Sequence, residues 1–131
     1  MFDIGNVLET DMSNTKHIPE EQLEKYLDDF SRRFLMRGSQ EFADVELIGP
    51  EIGDQVVASG VHLLGIDYDP HTRALEILLD GGDRRVYEPR EVWTVEDSNG
   101  FINSIEVILA DGTRQVMKIK QGGMRRANRE S

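Results

Sequence analysis

A chain of 131 residues with no cysteine has room for one domain and can form neither disulfides nor thiolate metal sites. Its 25 acids against 15 bases give a net charge of −10, a field that repels phosphate backbones and argues against nucleic-acid binding by the folded domain. The strongest apolar run, Ala74 to Leu79, is broken by Glu76, whereas a membrane-spanning helix needs about 20 apolar residues, so no membrane partner is expected.

Residues 1–17 are polar and aperiodic, and are expected to form a flexible tail that includes His17. The opening MFDIGNVLETD lacks the basic start and apolar core of a secretory signal, so the expected location is the cytoplasm. Met12, followed by Ser13-Asn14-Thr15-Lys16, reads as a second translational start.

Pro19 to Arg37 carries the clearest helix signal. Pro19 suits the first turn, Glu20 and Glu21 suit the positive end of the helix dipole, and Arg32, Arg33 and Arg37 suit the negative end. Leu23, Tyr26, Leu27, Phe30 and Phe34 recur at helical spacing and make one apolar stripe. Glu21–Lys25 and Asp29–Arg33 are the expected four-apart ion pairs, and Gly38 is the expected stop.

The rest of the domain reads as strands. Phe42 to Ile48 alternates apolar and acidic residues, and Gly49 to Asp54 is rich in turn formers. Gln55 to Asp67 is long for one strand, and Gly60 marks a bend or bulge within it. Asp69-Pro70-His71-Thr72-Arg73 is the tip of a hairpin whose second arm turns Leu75, Ile77 and Leu79 toward the core, beneath Leu27, Phe30 and Phe34. A short strand around Val86 and Tyr87 ends at Pro89, and another runs from Glu91 to Glu96. Asn99-Gly100 and Asp111-Gly112 are hairpin dipeptides bracketing Phe101 to Leu109, and a last strand covers Thr113 to Lys120. The fold class is therefore α+β: one N-terminal helix on a strongly curved antiparallel sheet of six to seven strands, a roll or partly open barrel over residues 18–121. Residues 122–131, with Arg125, Arg126 and Arg129, form an expected flexible basic tail.

Four segments in order, VELIGPEIGDQ from Val45, LLGIDYDP from Leu63, YEPREVW from Tyr87 and SIEVILADGTRQVMKI from Ser104, resemble an uncharacterised bacterial family, the domain of unknown function DUF5335. The resemblance spans about residues 20–120. It implies a single compact domain and assigns no activity, substrate or catalytic residue, so no role is carried over.

Candidate sites are few. Asp67, Asp69 and His71 would share one side of an extended strand, as a metal site requires, but Asp69 before Pro70 is better explained as a turn cap, with Asp67 and His71 solvated. Asp97-Ser98-Asn99-Gly100 echoes the start of a calcium loop without its closing glutamate. Tyr87, Glu88, Arg90 and Trp93 cluster around Pro89, and His62 sits in an apolar stretch; together they are the candidate pocket or interface. No nucleophile elbow, phosphate loop or dinucleotide fingerprint occurs, no catalytic residue is named, and no cofactor is expected. The favoured function is a non-catalytic protein-interaction or assembly module, as a homodimer through a sheet edge or Trp93, or with an unknown protein partner. The alternative is a barrel that binds a small molecule or metal ion, or an enzyme of unknown reaction.

Overall fold

The computed structural model describes residues 13–36 and 40–121. Strand β1 (Ser13–His17) leads into helix α1 (Glu20–Phe34). Then follow β2 (Glu41–Gly49), β3 (Gly53–Asp69), β4 (Ala74–Leu79), β5 (Arg84–Tyr87), β6 (Glu91–Asp97), β7 (Ile102–Ile108) and β8 (Arg114–Gln121). The fold is α+β, with one helix on an open 8-stranded antiparallel sheet in the order β1-β6-β7-β8-β2-β3-β4-β5. The expected count of six to seven strands is corrected by β1, whose residues lie in the stretch read as a tail. Ser13–His17 is too polar to signal a strand and becomes one by pairing with β6, from Ser13 opposite Asp97 to His17 opposite Trp93. The second start at Met12, the helix-end residues Arg37 and Gly38, and the arginines of 122–131 lie outside the described residues.

Helix α1 begins one residue later than its proline suggests. Pro19 is the cap, with extended backbone, and Glu20 and Glu21 occupy the first turn. It also ends earlier, at Phe34, because Leu35 leaves helical geometry and joins the core. Leu23, Leu27 and Phe30 are the fully covered part of its stripe. They belong to one cluster with Leu63, Ile66, Leu75, Ile77, Leu79, Val107 and Met117, so the β4 residues line the core as expected. Phe30, Phe34 and Phe101 form an aromatic triangle with centroids 5.2–5.5 Å apart. The ion pairs differ from the expected set: Lys25 bonds Asp29 at 3.1 Å, and Arg32 pairs with Asp28 and Asp29. Arg33 instead donates to the Asn99 carbonyl at 3.0 Å, which ties the helix to the β6–β7 hairpin.

Strand β3 shapes the sheet. Its first part, Gly53 to His62, pairs with β2, and its second, Leu63 to Asp69, pairs with β4. The change of partner falls between His62 and Leu63, two residues past the bend at Gly60, whose φ of 62° is one that a side chain disfavours. Pairing slips opposite this bend, around Val45 on β2, and again between Leu63 and Gly65. The sheet then curls so far that Arg84 Nε on β5 donates to Gln115 Oε1 on β8 at 3.1 Å, past three intervening strands.

Candidate functional site

The hairpin tip is built around Asp69. Its Oδ1 accepts the His71 backbone N–H at 2.9 Å, and this bond holds its carboxyl below the ordinary aspartate range. Strand β3 ends at Asp69, so His71 falls in the turn, with its imidazole 3.5 Å from the same oxygen. Asp67 lies opposite Glu76, which pairs with Arg85 at 2.8 Å. Burial pushes the Asp67 carboxyl up, and Glu76, Asp69 and Asp28 add to the shift. These side chains line a cleft of about 580 Å³ between the helix and the hairpin, with Glu24 and Lys25 on its helical wall. Among the described residues, no three His, Cys, Asp or Glu side chains are gathered so as to hold a metal ion. The arrangement caps a turn and crowds carboxylates.

The second set of candidates is dispersed. The His62 ring, half-buried, lies 5.8 Å from that of Phe42. Tyr87 ends β5 in an exposed position, and the Glu88 N–H bonds the Arg73 carbonyl at 2.7 Å. The Arg90 N–H is bonded to the Ile108 carbonyl at 2.8 Å, on the far side of Pro89. Trp93 stacks on His17 at 4.9 Å and donates its indole N–H to Glu91 at 2.9 Å. Three strands separate His62 on β3 from Trp93 on β6.

A polar cluster that sequence reasoning missed lies on the other flank of the helix. Thr94 and Glu96 project together from β6, as alternate residues of a strand must. The Tyr26 hydroxyl donates to Glu96 Oε2 and lies 2.9 Å from Thr94 Oγ1; Lys16 Nζ pairs with Glu96 Oε1 at 3.1 Å. Burial first, and then Glu96, push the Tyr26 hydroxyl above its ordinary range, so at neutral pH it is a donor and not a base. The cluster borders a cleft of about 220 Å³ that Asp29 and Arg33 also line. Chemically it is a satisfied joint between β1, α1 and β6. Tyr26 and Glu96 are 70 residues apart, so no local pattern announces it.

The sheet has three open edges among the described residues, apart from residues 63–69 of β3, which pair with β4 alone and whose Ile66 backbone bonds the Ser31 hydroxyl of the helix. Strand β5 is short, carries Arg84 and Arg85, and stops at Glu88-Pro89. Strand β1 has five residues, carries Lys16, and runs into Pro19. Both have the marks of edges protected against pairing. The third edge is the outer side of β3 from 54 to 60, which pairs with β2 on one side only. Between Gln55 and Val61 it has no charged residue and no proline. Among the described residues seven large hydrophobics are exposed, and of these Val56 and Val57 lie on this edge and Ile52 just before it. Val56 is 67% exposed and borders a groove of about 250 Å³ with Glu46, Ser59, Val116 and Lys118.

Comparison with known proteins agrees with the resemblance in the sequence. The model of a family of unknown function, DUF5335, matches residues 14–126. An uncharacterized protein of Aquifex aeolicus (strain VF5) is 40% identical over 107 residues, which cover 81% of this chain and 92% of that one. No solved structure matches.

Proposed function

We propose, for a chain that belongs to the DUF5335 family of unknown function, the role of a non-catalytic protein-interaction module that adds a partner's strand to its sheet. One observation carries this reading: two of three edges are guarded by charge, shortness and proline, and the third, on β3, is bare. Two of the candidate groups support it: Asp69 caps a turn and Trp93 is packed against His17. The proposal places the module in the cytoplasm, where a chain without cysteine loses nothing to a reducing environment.

The test is a photo-crosslinking amino acid installed at Val57 and, as a control, at Arg85 on the guarded edge. Discrete adducts of identified composition at Val57, and none at Arg85, are expected. Equal labelling at the two positions, or none at either, overturns the reading.

The cleft beside Asp67 favours a second reading, a barrel that binds a cationic small molecule or metal ion through Asp67, Asp69 and His71. Calcium, magnesium or zinc would then raise the melting temperature by mass action. A melting temperature unmoved by all three removes this reading.

A further inference from the structure

We infer that the strand completing the β3 edge is the β3 edge of a second copy of this chain, in antiparallel pairing about a two-fold axis at Val57. The inference rests on the interaction reading above and names its partner. A body with net charge −10 repels its own copies, so self-association has to use a surface with little charge. The stretch from Gln55 to Val61 is such a surface, in a chain of which 31% is charged.

A two-fold contact must also be self-complementary. With the axis at Val57, Val56 lies opposite Ala58 of the other copy, Gln55 opposite its Ser59, and Asp54 opposite its Gly60. No like charges meet. The two Asp54 side chains stand roughly 20 Å apart along the strands, about twice the screening length at ordinary salt. Any axis moved closer to Gly53 brings them together.

The geometry sets the length of the contact. The bend at Gly60, where the backbone N–H bonds Asp44 Oδ1 at 2.6 Å, ends the straight run on one side, and the turn before Gly53 ends it on the other. A Cβ placed on Gly60 would have no atom within 4 Å, so the space beside the bend is open. Val56 and Val57 project to opposite faces of the strand and are both exposed, so a paired strand covers apolar surface on each face. The product is one continuous antiparallel sheet built from two copies of an 8-stranded one.

Sedimentation equilibrium of the full chain from micromolar to millimolar concentration is the test. The wild-type chain is expected to dimerise reversibly. Val57→Lys and Val57→Asp each place like charges face to face at the axis and should weaken dimerisation by at least about tenfold, while an equimolar mixture of the two variants should restore it. A measurement that needs no variant is hydrogen exchange of the amides of residues 54–60, which should slow as wild-type concentration rises. A monomer at every concentration, a dimer indifferent to the Val57 substitutions, or exchange independent of concentration overturns the inference. A monomer that still gives adducts to another protein at Val57 overturns only the self-pairing; one that gives no adducts removes the interaction reading as well.

Discussion

The two flanks of helix α1 face the same sheet and differ in how their charges are settled. Toward β6, Lys16, Glu96, Thr94 and Tyr26 meet as donor and acceptor, and each polar group has a partner of the right kind. Toward β3 and β4, Asp28 on the helix looks across at Asp67, Asp69 and Glu76, and the field at Asp67 is made by three other carboxylates. One flank is a joint throughout; the other crowds carboxylates beside bonds of its own, from Tyr68 and Arg73 to Glu20 and between Ser31 and the Ile66 backbone. The contrast shows that fit between helix and sheet is set by apolar burial along the middle of the helix, with the polar margins free to be settled or left in tension.

Three substitutions probe this contrast. The largest effect belongs to the apolar floor that both flanks share: Ile77→Ala, at a residue 1% exposed, should cost ~2–5 kcal/mol in urea unfolding. A loss under ~1 kcal/mol would mean that the β3–β4 hairpin is not what the helix rests on. Next is Tyr26→Phe, which leaves Glu96 and Thr94 short of a donor in a covered site and should cost ~1–3 kcal/mol. If stability is unchanged, the settled flank is no more important than the crowded one.

The smallest effect has the opposite sign. Because the Asp67 carboxyl is raised in the folded chain, the unfolded chain releases its proton first, and stability falls as pH rises from the ordinary aspartate value of 3.8 through the raised one. Asp67→Asn should therefore stabilise slightly at neutral pH, within ~0.5 kcal/mol for so exposed a residue, and give no gain below pH 3.8. Thermal melts of both chains at the two pH values decide it, and a destabilised variant at neutral pH would show that the tension at this flank is not real.

Much of the architecture was legible because it rests on local chemistry. The stripe of Leu23, Leu27 and Phe30 needs only helical spacing, and Gly100 and Gly112, each with φ of 89°, mark their hairpins as Asn-Gly and Asp-Gly should. Gly60 likewise signalled the bend in β3. The strand β1 was illegible because Ser13–His17 has no apolar alternation, and it pairs with residues 93–97, far along the chain. The Tyr26–Glu96 joint was hidden for the same reason. His62 and Trp93 read as candidates for one site because composition alone does not say how many strands will stand between them. The bare edge of β3 was invisible until the pairing of its two halves was known, since edges are properties of sheet order and not of segments.

That sheet order has a consequence for synthesis. Strand β8 leaves the ribosome last, yet it takes a central place between β7 and β2. Until it emerges, the sheet is two separate pieces, β1-β6-β7 and β2-β3-β4-β5, with no strand to bridge them. Losing a few residues from the front of β1 trims an edge, whereas stopping translation before Arg114 removes the keystone. Such a prematurely ended chain should be a substrate for chaperones and proteases rather than a shorter version of the fold.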